Sequence, residues 1–232
     1  IHFVIAEKND NVWIAQRQGR AKNSNDLTQP AILKMMAMGG EGTIIERLKQ
    51  LHIVPLAISY EYDPCDYLKA REYQLRRDLP YWKKTAEDDL ESMLVGIKGY
   101  KGHIFYKCAP CIDEWLDTVD EDLPKNKLFD AIAAHIDHEI HCNYKLYPIN
   151  YVALDMIQDT RVYEEYYTAE DYQNFNDYLN GQIEKIEIEN RDDKFLRTCF
   201  LTQYAYPAKN YIAASSENGR FKSLLNRLTF KK

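Results

Sequence analysis

The sequence lacks any apolar run near the roughly 20 residues that a helix needs to cross a bilayer. It also shows no signal-peptide pattern of a basic start, an apolar stretch and a small-residue cleavage site. Cysteine is scarce and odd in number, since only five are spread over 232 residues, which favours reduced thiols over a disulfide framework. These absences predict a cytoplasmic protein that folds without stabilising disulfide bonds or bound metal ions.

The chain also has no surplus of basic residues. Its 30 Lys and Arg residues are outnumbered by 36 Asp and Glu residues, which gives a formal net charge of -6. Proteins whose main partner is nucleic acid normally carry a broad basic surface. The composition therefore predicts no nucleic-acid partner, and any anion-binding site must be local.

No internal repeat or low-complexity linker divides the sequence, so the fold class is inferred from hydrophobic periodicity. Residues 12–15 form a short apolar run after a turn, as expected of a buried parallel strand. A polar loop, a helix capped by Thr28 and a second apolar run, "HIVPLAISYEY", then complete a parallel crossover unit. With a third strand at "HIFYKCAP", the pattern predicts an α/β fold with a mixed, mainly parallel sheet wrapped by helices.

Helical periodicity dominates the rest of the chain. It predicts helices over residues 66–77, after the N-cap Thr85, and over residues 126–144, where an apolar stripe would cover a sheet face. Acidic, tyrosine-rich helical segments follow Pro148. The expected organisation is an α/β domain over residues 1–150, incomplete at its N-terminus, with a helical C-terminal region over 151–232 packed on it.

A local cluster of positive charge stands out at "WIAQRQGRAKNSND", residues 13–26. Arg17, Arg20 and Lys22 would leave the carboxyl end of the first predicted strand, where open α/β sheets bind ligands. Arginine forks match the geometry of phosphate and carboxylate oxygens. The alternative is a solvated loop whose charges pair with Asp26 and nearby glutamates.

Two blocks resemble the glycerolipid acyltransferase superfamily, in particular its bacterial glycerol-3-phosphate and 1-acylglycerol-3-phosphate acyltransferases. They are "WIAQRQGRAKNSNDLTQPAILKM" and "IVPLAISYEYDPCDY", and the "GYKG" strand follows them. The resemblance implies that Gly19, Arg20 and Lys22 belong to a phosphate-binding block. It implies in the same way that Val54 and Pro55 belong to a valine-proline block that also binds substrate.

The sequence departs from the family pattern at two places. Gln18 stands where the bacterial branch usually has a glutamate, so a charge that could orient Arg17 or Arg20 is lost. The family's catalytic histidine, followed five residues later by aspartate, does not occur among the six histidines here. The expectation is that this pair precedes Ile1, so no catalytic residue is assigned; the alternative is a complete but catalytically dead chain.

The resemblance implies an O-acyltransferase of phospholipid synthesis that moves a fatty acyl group from a thioester of coenzyme A or acyl-carrier protein. Its acceptor would be a glycerol phosphate or a lysophospholipid, and neither a cofactor nor a metal would be needed. The alternative is a non-catalytic relative that binds lipid or carrier protein through the same basic loop.

The histidines and cysteines raise a second alternative, a small thiol or metal protein. Cys108 and Cys111 form a "CAPC" motif that could be a redox pair or half of a zinc site, although ordinary buried thiols are the favoured interpretation. His135, His138 and His141 lie three apart on a predicted helix, where two of them could share a metal. A polar helix edge is the favoured interpretation of these histidines.

The C-terminal segment "RFKSLLNRLTFKK" is basic and amphipathic. It would either dock as an ordinary terminal helix or lie on an anionic membrane with its leucines inward. The second interpretation predicts peripheral attachment to the inner face of the cytoplasmic membrane. The basic residues of this stripe are Arg220, Lys222, Arg227, Lys231 and Lys232.

Overall fold

The computed structural model of this chain is mainly helical. It describes the backbone of residues 1–17 and 21–229, and the side chains of residues 1–17 and 21–216. About 57% of the chain is helical and 5% lies in strands. Within these described ranges, no helix combines the length and the apolar character required to cross a membrane.

The elements follow one another in a simple order along the chain. A short π-helical segment, Phe3–Glu7, comes first, and a 3-10 turn, Glu164–Tyr166, lies between the seventh and eighth helices. The two strands are β1, Leu56–Tyr60, and β2, Ile104–Cys108. The α-helices are α1 Pro30–Met36, α2 Ile44–Lys49, α3 Asp66–Asp78, α4 Ala86–Lys98, α5 Asp113–Leu116, α6 Lys125–Cys142, α7 Pro148–Gln158, α8 Ala169–Glu184 and α9 Asp193–Thr229.

The prediction of a mainly parallel sheet is wrong. Strands β1 and β2 pair with each other in a two-stranded antiparallel sheet. Backbone bonds continue the pairing past both ends: the Ala109 N–H donates to the Pro55 carbonyl at 2.9 Å, and the Glu61 N–H to the His103 carbonyl at 2.9 Å. The two apolar runs predicted as strands are real, but they are direct neighbours rather than members of a crossover unit.

Residues 12–15, predicted to be the first buried strand, form no regular element. Val12 is 37% exposed and Trp13 is 76% exposed, so the run contributes little to a core. A four-residue apolar run gains stability as a strand only when a neighbouring strand satisfies its backbone groups. Without that strand, no parallel crossover can form, and this is why the predicted fold class fails.

Most predicted helices are confirmed. Helix α4 begins with a capping box in which the Thr85 side chain accepts from the Asp88 N–H and the Asp88 side chain accepts from the Thr85 N–H. Helix α6 buries Leu128, Ile132 and Ile140 on one stripe, as expected. The helix packs against α1, and its stripe shares one core with Ala57 of β1. Helix α1 starts with Pro30 after the N-cap Gln29, so the expected cap is wrong.

The chain divides into two compact units that alternate along the sequence, whereas the predicted division was a single boundary after residue 150. Unit 1 consists of Ile1–Arg20, Asp26–Ala57 and Tyr106–Tyr144. Its core includes Leu33, Leu48, Ile112, Leu116 and Ile132, each at most 2% exposed.

Unit 2 consists of Ala21–Asn25, Ile58–Phe105 and Lys145–Lys232. Helix α7 lies against α9 and α8, while α3 also packs on α9. Phe175, Leu179, Leu196 and Phe200 are fully buried among these helices. At about 25 cal/mol per Å² of apolar surface removed from water, such rings and branched chains supply most of the stability of a helical unit.

Candidate functional site

Four residues of the loop were predicted to bind phosphate: Arg17, Gly19, Arg20 and Lys22. Of these, Arg17 is the one that the structure describes in unit 1. The loop is closed by the Gln29 N–H, which donates to the Gln16 carbonyl at 2.9 Å. The Arg17 side chain is 29% exposed, and its Nη1 lies 3.7 Å from Asp26 Oδ1. Its Nε is enclosed and has no hydrogen-bond partner in the described structure. Arg17 thus holds a buried donor that a bound acceptor could satisfy.

Gly19 and Arg20, which the resemblance places on the phosphate block, lie outside the described residues. The same applies to Gln18, which replaces the family's glutamate. Their predicted roles therefore stay predictions.

Lys22 belongs to unit 2, where its ammonium forms an ion pair with Glu72 of α3. The Glu72 side chain is only 8% exposed and also accepts from Arg76 at 2.8 Å. Two cations on one largely buried carboxylate offset its charge and hold the Lys22 segment on α3. Lys22 therefore has a structural partner in its own unit, whereas Arg17 belongs to unit 1.

Val54 and Pro55, the predicted valine-proline block, lie in unit 1 immediately before β1. Pro55 is buried and Val54 is 46% exposed. The Pro55 carbonyl accepts the Ala109 N–H, so the block is fixed in the antiparallel ladder. Arg17, Val54 and Pro55 thus share one compact unit.

The three helical histidines have different surroundings. The His135 ring stacks on Trp115 with ring centroids 3.8 Å apart, and burial lowers the pKa of His135 to about 4. His138 Nε2 lies 3.6 Å from Cys142 Sγ. His141 packs beside Tyr144, and its pKa is lowered chiefly by burial. The candidate metal-ligand group found among the described side chains does not include these three histidines. His141 is only 9% exposed, so the interpretation of a polar helix edge does not fit this residue.

None of the five cysteines forms a disulfide in the described structure. Cys108 is exposed, whereas Cys111 is partly buried and burial raises the pKa of its thiol. Among the side chains that the structure describes, Cys111 is grouped with His52 and Asp113, whose ligand atoms and Sγ all lie within 4.8 Å of one another. Sequence reasoning missed this group because His52 and Asp113 are 61 positions apart, and no local motif joins them.

A second titratable cluster lies in the core of unit 2. Asp66, the first residue of α3, is fully buried, and its Oδ2 accepts from the hydroxyls of Tyr178 and Tyr204 at 2.7 Å each. Desolvation raises the pKa of Asp66 to about 6, against the opposing effect of these hydrogen bonds. Gln182 donates to the Tyr178 hydroxyl at 2.6 Å. Because the Asp66 carboxylate is closed to solvent and bonds to side chains of α8 and α9, the group holds α3, α8 and α9 together.

The comparisons with known proteins identify no relative for this chain. No protein-family model matches it, and no curated protein or solved structure does so either.

Proposed function

We propose that this chain belongs to an O-acyltransferase that moves a fatty acyl group from an acyl thioester to a glycerol-phosphate or lysophospholipid acceptor. The observation that carries the proposal is the Arg17 guanidinium, whose Nε is enclosed without a hydrogen-bond partner. The two sequence blocks that resemble glycerolipid acyltransferases support it, and Arg17 lies within the first of them.

An enclosed N–H donor without an acceptor is energetically unfavourable, at a cost of about 1–3 kcal/mol. Asp26 does not relieve this cost, because its closest approach is to Nη1 and the 3.7 Å separation exceeds hydrogen-bonding distance. A phosphate group would satisfy Nε and a terminal nitrogen together, since a guanidinium binds phosphate oxygens in a bidentate manner. The Lys22 ammonium is already paired with Glu72, which makes Arg17 the better supported ligand of the acceptor phosphate.

The proposed acyl transfer depends mainly on how the protein positions the acceptor and the acyl donor. Arg17 would hold the acceptor phosphate, with Gly19 and Arg20 contributing from the undescribed part of the loop, so that the acceptor hydroxyl lies beside a base. The base takes the hydroxyl proton, the oxygen attacks the thioester carbonyl, and the tetrahedral intermediate releases the thiol of the carrier. No residue of this sequence is assigned as that base.

The proposal includes peripheral attachment to an anionic membrane surface through the C-terminal basic stripe. The side chains of this stripe, from Arg220 to Lys232, lie outside the described residues. Co-sedimentation with phosphatidylglycerol vesicles, and loss of it when these cations are replaced by glutamine, is the expected result. Binding that is unchanged by the replacements would contradict this attachment.

The test of the acyltransferase is a thiol-release assay on the full gene product with an acyl-coenzyme A or acyl-carrier-protein donor. Glycerol 3-phosphate and its 1-acyl derivative are the acceptors, and glycerol and monoacylglycerol are the controls without phosphate. We expect thiol release with a phosphate-bearing acceptor only. Failure of every acceptor would overturn the proposal, and lipid binding without acyl transfer would favour a non-catalytic relative.

Arg17→Ala should raise the KM for the acceptor about 10- to 100-fold, because a hydrogen bond to a charged group contributes about 1.5–3 kcal/mol. The matched control is Arg161→Ala, which removes an arginine that is 82% exposed and pairs with Glu164 at 3.6 Å. An equal effect of both substitutions would show that Arg17 has no specific role.

A further inference from the structure

Three side chains of different chemistry meet on the surface of unit 1. His52 offers a ring nitrogen, Cys111 offers Sγ and Asp113 offers a carboxylate oxygen, and these atoms all lie within 4.8 Å of one another. Imidazole nitrogen, thiolate sulfur and carboxylate oxygen are the three kinds of ligand that zinc accepts in proteins. Arg17 is not a member of this group, and the proposed acyl transfer does not use the group.

The backbone around β1 and β2 brings these residues together. The Ile112 N–H donates to the Ile53 carbonyl at 3.0 Å, so the segment after β2 lies beside the segment before β1. Ile112 is 1% exposed and anchors its neighbours Cys111 and Asp113 to the core. Cys111 and Asp113 are therefore held in place by the buried side chain and the backbone hydrogen bond of Ile112, which lies between them.

The third residue of the group, His52, has an unusual backbone conformation. Its φ of 46° lies in the left-handed region, which a non-glycine residue rarely adopts. The residue follows the end of α2, and its N–H donates to the Lys49 carbonyl at 3.1 Å. This conformation accompanies the contact between His52 Nδ1 and Asp113 Oδ2, which are 2.6 Å apart. Strained residues of this kind are found at functional sites more often than elsewhere.

The Asp113 carboxylate has an unsatisfied oxygen. Oδ2 is occupied by His52, but Oδ1 is enclosed and has no hydrogen-bond partner in the described structure. The Asp113 side chain is 21% exposed, and it also interacts with the Cys111 thiol, whose pKa is raised first by burial and then by this carboxylate. A cation at this position would supply the missing partner.

We propose that His52, Cys111 and Asp113 bind one divalent metal ion of the zinc class, with water in the remaining coordination position. The Cys111 thiol releases its proton to solvent on binding, and the imidazole proton moves to Nε2 of the largely exposed His52 ring. Zinc–ligand distances of about 2.0–2.3 Å require ligand atoms roughly 3.3–3.7 Å apart. The His52–Asp113 contact must therefore open by about 0.7–1 Å, and the His52 side chain, 72% exposed, has room to move.

The geometry favours this trio over the CxxC pair that the sequence suggests. Cys108 is exposed and is not part of the group, although it lies only three residues from Cys111. A zinc site built on both cysteines would need both sulfurs in one ligand set. Cys108 therefore provides a matched control within the same motif.

The test is titration of the reduced full chain with Co²⁺ alone, followed by displacement with Zn²⁺. We expect a thiolate-to-cobalt charge-transfer band and visible bands typical of four-coordinate cobalt, both of which Zn²⁺ abolishes. Cys111→Ser should remove the charge-transfer band, whereas Cys108→Ser should leave it unchanged. Asp113→Asn should weaken binding at least about tenfold, since loss of even an outer-shell partner costs 10- to 100-fold.

His52→Asn is the fourth variant, because asparagine tolerates the left-handed backbone and keeps the fold. It should weaken cobalt binding by at least the same factor, with an unchanged circular dichroism spectrum. No cobalt spectrum in the wild-type chain would overturn the proposal. So would equal losses in Cys108→Ser and Cys111→Ser, or unchanged binding in both Asp113→Asn and His52→Asn.

Discussion

The buried carboxylate of Asp66 makes the stability of unit 2 dependent on pH. Its pKa is raised from 3.8 to about 6, first by desolvation and then by the nearby Asp63 charge. Hydrogen bonds from Tyr178 and Tyr204 oppose the shift without cancelling it. The substitution that tests this is Asp66→Asn, which keeps the shape of the side chain and removes the titration.

The sign follows from proton binding. The folded state binds the Asp66 proton more tightly than the unfolded state, so this contribution to stability is fully present below about pH 4. It is lost as the pH rises through about 6. A shift of about two units corresponds to about 3 kcal/mol, at 1.36 kcal/mol per unit.

The assay is urea unfolding of wild type and Asp66→Asn at several pH values between about 4 and 7. Other titrating groups are common to both proteins, so the difference between the two unfolding free energies isolates Asp66. We expect this difference to move by about 3 kcal/mol in favour of Asp66→Asn as the pH rises. A difference that stays constant across the window would refute the argument, because Asp66 would then titrate alike in both states.

Two further predictions concern one residue in each unit. Phe175→Ala, which empties a fully buried ring position in unit 2, should lower the free energy of unfolding by about 3–5 kcal/mol. If urea unfolding showed that Phe175→Ala lowers the free energy of unfolding by less than about 1 kcal/mol, the place of Phe175 in the core would be contradicted. His135, stacked on Trp115, should titrate near pH 4 in an NMR pH series, because burial disfavours the charged ring. The stability that His135 contributes should be lost as the pH falls from about 6.5 towards 4, and a midpoint near 6.5 would contradict the burial argument.

Local signals in the sequence predicted the helices well. Thr85 followed three residues later by Asp88 marks the start of α4, because both side chains cap backbone N–H groups of the same turn. The apolar stripe of α6 repeats every four residues and is buried as expected. Such features depend on neighbours within one or two turns, so the sequence alone specifies them.

The pairing of strands could not be predicted in the same way. The runs that became β1 and β2 were recognised, but their partners depend on contacts between residues more than 40 positions apart. The parallel crossover depended on residues 12–15 being a strand, and that run pairs with none of the described strands. One wrong element thus changed the predicted fold class.

The candidate sites also depend on contacts between residues that are far apart in the sequence. The charge of Arg17 is visible in the sequence, but the enclosure of its Nε is a property of the folded loop. Lys22 gives no sequence signal of its pairing with Glu72, 50 positions away. The grouping of His52 with Asp113 likewise requires the β1–β2 pairing, so periodicity and motifs could not reveal it.

In the proposed acyltransferase, the enclosed Arg17 Nε binds the acceptor phosphate. The most direct measurement is the arginine Nε–H NMR spectrum of the full-length protein during titration with glycerol 3-phosphate, with the Arg17 signal assigned by its loss in Arg17→Lys. We expect a saturable shift of that signal with glycerol 3-phosphate and none with glycerol. An Arg17 signal that glycerol 3-phosphate leaves unchanged, or that glycerol shifts equally, would contradict it.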